Sequence, residues 1–245
     1  MKCFILRIDS RLKIVKMKVQ ILALIVGTVL FTQCTAPHYA RVSDPITESL
    51  FNDKDRTLSE ESIKTLLDGK LILPDTLRFA VFKVGMNNHF YSKMLYGGVN
   101  EITIRGQQNL FDSLATRLKQ HNHVQQVHSI PTMMLSNYPN ITQLREASVR
   151  LQSDVLVVYS TTSDIYYHQK TIKKDEVKAF ATTEVFLLDV RTSLIPFSTV
   201  VTKDYLTKEI KGELSAETRK RAEQEATLLT LMDISEQIKG FLNKR

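Results

Sequence analysis

Six residues near the middle of the chain, Asp154-Val-Leu-Val-Val-Tyr159, leave few ways to fold it. Apolar and aromatic side chains follow an acid there with no polar interruption. A strand with one wet face alternates, so an unbroken run predicts a strand covered on both faces. An amphipathic pattern over residues 140–152 leads directly into it, with Asn140 as N-cap and Ile141, Leu144, Ala147 and Leu151 on one face. A helix delivering the chain to a buried strand is the order of an α/β layer.

Upstream the same order recurs. Thr57-Leu-Ser-Glu60 has capping-box spacing and predicts a short helix ended by Gly69. A strand is expected over 78–84 and a long connection over 85–105. A helix with Leu110, Phe111, Leu114 and Leu118 in one stripe then spans 107–122, and a second strand over 123–130 is closed by Pro131. This β-α-β-α-β order predicts a parallel trio. Downstream, extended segments over 160–167, 177–190 and 194–206 are joined by a polar tip and by Arg191-Thr-Ser193, which predicts antiparallel pairing. Ser215 is expected to cap a long helix running to Leu242. The expectation is a single α/β domain over residues 57–245. Its mixed sheet, parallel with an antiparallel hairpin half, packs with helices, and a long C-terminal helix closes it.

The start of the chain is a different kind of sequence. Lys16-Met-Lys18 precedes an apolar run over 21–31 that is about half of the ~20 residues a membrane-spanning helix needs. A basic stretch before a short apolar one reads as a secretory signal, with Met17 an alternative start to Met1. This leader also explains the charge. Lys2, Arg7, Arg11, Lys13, Lys16 and Lys18 stand against Asp9 alone, so most of the net +7 belongs to residues 1–33. The basic balance therefore gives no case for nucleic acid. The two cysteines are Cys3 and Cys34, which leaves the domain without a disulfide, a thiolate metal site or a thiol nucleophile.

Leu30-Phe-Thr-Gln-Cys34 resembles the box that ends bacterial lipoprotein signals. Cys34 and the small Thr32 match, whereas Phe31 and Gln33 replace the usual Leu and Gly or Ala. The resemblance implies a signal over 1–33, lipidation of Cys34, and attachment to the cell envelope, with the outer membrane favoured and the domain periplasmic or surface-exposed. Residues 34–56, with Pro37, Pro45 and no periodicity, read as a flexible tether. A second likeness covers about residues 109–202. Leu144-Arg-Glu-Ala-Ser-Val-Arg-Leu-Gln-Ser-Asp-Val-Leu-Val-Val-Tyr159 and Val185-Phe-Leu-Leu-Asp-Val-Arg-Thr192 resemble the α/β domain of the TolB N-terminal domain and the curli secretion lipoprotein CsgG. Ser193 stands where that pattern has Gly. This resemblance implies a fold and an envelope address.

No group of residues names a reaction. His121, His123 and His128 have no carboxylate or Cys at ligand spacing, so neither a metal nor a cofactor is expected. Asp154 and Asp189 sit at strand ends, where a carboxylate ordinarily accepts backbone N–H bonds; the sharper alternative is an acid–base pair. Nucleophile elbows and phosphate-binding glycine loops are missing from the sequence. Phe90, Tyr91 and Tyr96 in the long connection, and Lys170, Lys173 and Lys174 in the polar tip, are the candidate partner surface. A solvated hairpin end accounts for the lysines equally well. The expected function is a membrane-anchored, non-enzymatic envelope lipoprotein that binds another envelope component. The alternative is a subunit of a CsgG-like oligomeric secretion or pore complex. That would need membrane-crossing strands of ~9–11 alternating residues, and Val185-Phe-Leu-Leu188 breaks the alternation.

Overall fold

The computed structural model describes residues 38–41, 49–51, 58–85, 101–136, 139–168 and 176–244. Six strands form one sheet: β1 (His38–Arg41), β2 (Leu77–Lys83), β3 (Val124–Ser129), β4 (Val155–His168), β5 (Glu176–Asp189) and β6 (Phe197–Lys208). Among the described residues four α-helices accompany it: α1 (Glu60–Leu67), α2 (Glu101–Lys119), α3 (Ile141–Arg150) and α4 (Ser215–Leu242). The path through the sheet is β3-β2-β4-β5-β6, with β1 paired to β4. β2 is parallel to both β3 and β4, and β4–β5 and β5–β6 are antiparallel. The expected mixed α/β sheet with a long C-terminal helix is what the chain forms.

Asp154–Tyr159 explains its own position. β4 meets parallel β2 on one side and antiparallel β5 on the other, with Val157 opposite both Val81 and Leu187. Val155, Val157 and Tyr159 point to a core shared with Leu114 and Leu118 of α2 and Leu231, Ile234 and Ile238 of α4. Leu156 and Val158 point the other way, to Leu144 and Ala147 of α3. Both faces are covered, so neither face selects polar residues. Beyond Tyr159 only one face stays covered. There Ile165, Tyr167, Val177, Ala179 and Ala181 pack against Ala222 and Ala226, small residues that bring α4 close to the sheet.

Several expected boundaries shift. β4 runs unbroken to His168. Along β5 burial alternates from Glu176 to Leu187, and it becomes continuous at Leu188 because α3 covers the second face there. The apolar stretch at 185–188 therefore marks entry into the doubly covered region, where the alternation ends. The cap of α1 is Ser59, whose hydroxyl accepts from the Ser62 N–H at 3.1 Å, in place of Thr57. α3 does carry the Asn140 cap, in a reciprocal box with Gln143. α2 begins at Glu101, six residues before the expected start at Gln107. Gly106 lies inside α2, where glycine is a weak helix former. Here it admits the Gln224 side chain of α4, which would collide with a Cβ.

The segment expected to be a free tether is tied down at two places. β1 lies within it and pairs antiparallel with Asp164–Tyr167 of β4. Further on, Leu50 packs under α3 and the Phe51 ring stands 6.2 Å from that of Phe186. Four residues are too few to show a period, so this pairing is set by β4 and not by local pattern. Among the described residues, no helix is long and apolar enough to cross a membrane.

Candidate functional site

The two acids at the sheet are brought to one end of it, where β2 and β4 begin and β5 ends. The Asp154 carboxylate is 3% exposed. Its Oδ2 accepts from the Arg78 backbone N–H at 3.1 Å and from Arg78 Nε at 3.2 Å, and its Oδ1 from Arg191 Nη2 at 2.9 Å. Burial pushes this carboxyl up, but the bonds from Arg78 and Arg191 outweigh it and hold the group below its ordinary range. Asp189 is buried and accepts from the N–H groups of Arg191 and Thr192 and from the Thr192 hydroxyl. Each acid is fully engaged in closing a turn against a strand. That is the ordinary role, and it leaves no free base facing an acid.

The turn these acids hold is strained at one residue. Ser193 has φ 64, the left-handed region where the related pattern carries Gly. Its N–H donates to Asp189 O at 2.8 Å, which keeps it there. Ser193→Gly is expected to raise stability by about 0.5–1 kcal/mol, read as a higher urea midpoint at unchanged slope. A lowered midpoint would show that the Ser193 side chain is needed.

The histidines do not converge on a metal site. His121 Nε2 lies 2.9 Å from Asn243 Oδ1 and its Nδ1 accepts the His123 N–H at 3.3 Å. Those two bonds select the tautomer protonated on Nε2. His123 Nδ1 lies 2.9 Å from Asp75 O, and His128 Nε2 3.1 Å from Gln126 Oε1. Among the described residues, no three His, Cys, Asp or Glu are grouped to hold a metal ion.

Sequence reasoning missed Lys83, at the C-terminal end of β2. Its Nζ donates to Gln107 Oε1 at 2.7 Å. Burial lowers its pKa to about 8; Glu223 opposes the shift and Lys220 adds to it. Glu223 itself takes Ser163 Oγ at 3.1 Å and Lys220 Nζ at 2.9 Å. An amine in this range exchanges protons near neutral pH. Its one sequence signal is position: Lys83 closes the apolar run Phe79-Ala-Val-Phe82 directly before Val84 and Gly85. Two surface cavities, of about 350 and 400 Å³, are lined elsewhere, one along α3 and one by Lys70, Ile72, Leu73, Pro74, Asp189, Arg191 and Thr192.

Among the described residues, the sheet face opposite α4 in the antiparallel half is open. Tyr166, Val200 and Leu206 are 43%, 63% and 58% exposed on it. The Tyr166 ring meets Phe180 edge-on at 5.5 Å, Lys178 Nζ sits 4.7 Å above the Phe180 ring, and Lys178 bridges to Asp204 at 3.0 Å. Thr182 and Thr202 share a hydrogen bond across the strands at 2.9 Å. The sequence candidates Cys34, Phe90, Tyr91, Tyr96, Lys170, Lys173 and Lys174 all lie outside the described residues.

No family model matches the chain, and no curated protein does. Solved structures share parts of its fold at low identity. A minor lipoprotein from Acinetobacter baumannii is 11% identical over 66% of this chain and 92% of its own, with a TM-score of 0.37. A hypothetical protein from Chlamydia trachomatis is 11% identical over 69% and 99%, at 0.39. The PelC dodecamer subunit from Paraburkholderia phytofirmans is 9% identical over 80% and 96%, at 0.28. None of these supports the TolB or CsgG likeness in particular, which stays with the residues that suggested it. At such distances no residue role, activity or family passes from those proteins to this chain.

Proposed function

We propose that the chain is a lipoprotein of the bacterial cell envelope, anchored through Cys34, whose α/β domain binds another envelope protein and catalyses no reaction. The observation that carries this reading is the placement of a cysteine directly behind a short apolar leader, with the domain starting almost at once. Cys34 precedes by four residues a strand paired into the central sheet. Multiple acyl chains on such a cysteine hold a protein to a membrane far more firmly than one. The binding part of the reading is supported by the open sheet face. Its aromatic and apolar side chains are interleaved with Lys178, Glu184 and Asp204, a mixture suited to protein contact more than to a strongly charged ligand.

Cys34→Ala is expected to abolish metabolic labelling by a radioactive fatty acid and to release the protein from the membrane fraction. Labelling that persists in the variant would overturn the anchor. Crosslinking in the native envelope from a photoreactive residue at Val200 is expected to capture a second protein. A large homo-oligomer in detergent, crosslinked only to itself, would favour the oligomeric-complex alternative.

A further inference from the structure

The anchor and one end of the domain are placed together by strand direction. β1 runs antiparallel to β4 with His38 opposite Tyr167, so the chain before His38 leaves from the end where β4 finishes. The four residues from Cys34 to His38 reach at most about 14 Å. His168 pairs with Glu176, and Glu176 with Lys208, across that same end. Residues 209–214 follow directly and lead into α4.

This turn exposes two large apolar side chains, Ile210 at 56% and Leu214 at 67%, beside exposed Lys208 and Lys211. Its shape is set by a charged network. Glu213 accepts from the Ile210 N–H at 3.1 Å, from the Thr218 hydroxyl at 2.9 Å and from Arg221 at 3.0 and 2.9 Å. Arg221 also donates to Thr207 Oγ1 at 2.6 Å and to Lys208 O at 3.1 Å. Gly212, with φ 89, allows the chain to reverse. A turn this well tied presents Ile210 and Leu214 to solvent without needing them for its own packing.

We infer that this end of the domain rests on the bilayer that holds the anchor, with Ile210 and Leu214 at the headgroup–acyl boundary and Lys208 and Lys211 among the headgroups. The inference rests on lipidation of Cys34. Apolar side chains rimmed by lysines, whose stems lie along apolar surface while their ammonium groups stay wet, suit such an interface. The short link keeps the turn at high effective concentration over the membrane, so a weak contact is enough to orient the domain. The loop around Ile195 then points away, because the twelve residues of β6 separate the two ends by about 40 Å.

The test uses the full chain, processed in a bacterium, purified with its lipid and reconstituted in phosphatidylethanolamine–phosphatidylglycerol vesicles. Nitroxide labels are placed at Ile210→Cys, Leu214→Cys or Ile195→Cys. Cys3 is lost with the leader and Cys34 is blocked by acylation, so the introduced thiol is the one labelled. Labels at 210 and 214 are expected to be several-fold less accessible to a water-soluble relaxing agent, and more accessible to oxygen, than the label at 195. Equal accessibility at the three positions, with acylation of Cys34 verified by mass, would overturn this orientation and leave the anchor standing. An unmodified Cys34 in the mature chain would overturn the anchor and the orientation with it.

Discussion

Val157→Asp is expected to abolish cooperative folding. Val157 is fully buried between Val81 and Leu187 in the sheet and lies in the core with Leu231, Ile234 and Ile238 of α4. An unpaired carboxylate there has no donor to meet, and its desolvation costs several kcal/mol. A domain of this size has about 5–15 kcal/mol in total, so one such change removes most or all of the margin. Two comparisons separate charge from shape. Val157→Ala deletes the same atoms without adding charge and is expected to cost about 2 kcal/mol. Val200→Asp places the same carboxylate on β6 where the side chain is 63% exposed, and should stay within about 0.5 kcal/mol of the parent. Urea unfolding followed by circular dichroism reads all three. A Val157→Asp chain that unfolds cooperatively near the parent midpoint would show that β4 is not the centre of the fold.

That contrast also explains which parts of the fold were legible. An unbroken apolar run reports a strand covered on both faces, and Val155–Tyr159 is such a strand because α2 and α4 cover one side and α3 the other. The continuation of β4 from Ser160 to His168 was readable only as extended chain, since one covered face and one open face allow polar residues to enter. Helix starts were readable to within a few residues where a single capping residue was on offer, as at Asn140. Thr57 has the box spacing with Glu60, yet the helix is capped by Ser59, whose hydroxyl takes the Ser62 N–H. β1 carries no pattern of its own and exists through its register with Asp164–Tyr167. The candidate sites divide in the same way. That Asp154 and Asp189 accept backbone N–H bonds follows from strand ends beside turn residues. The arginines that complete the Asp154 cluster lie 76 and 37 residues away in sequence, a distance that no local pattern spans.

Those arginines make Asp154→Ala the second large effect. The carboxylate holds the start of β2 through the Arg78 N–H and guanidinium, and the turn after β5 through Arg191, while the Asp154 backbone exchanges N–H and C=O bonds with Arg78 and Val190. Removing the side chain leaves the Arg78 N–H and two guanidinium groups without their acceptor. Loss of one partner from a buried pair costs about 3–5 kcal/mol. Here the arginine side chains are 32% and 57% exposed and regain water, so about 2–3 kcal/mol is expected. Asp154→Asn keeps one acceptor oxygen and should lose less. The pH dependence gives an independent reading. The folded carboxyl is held below its ordinary value, so its contribution is complete above the unfolded-state pKa, near 4, and is lost as the pH falls below it. The gap in urea midpoint between the parent and Asp154→Ala is therefore expected to be full at pH 7 and to narrow progressively on acidification below about pH 4. A gap that stays constant down to the acid transition would mean that the loss comes from packing, and that the two arginines stabilise the β2–β5 corner without drawing on the charge of Asp154.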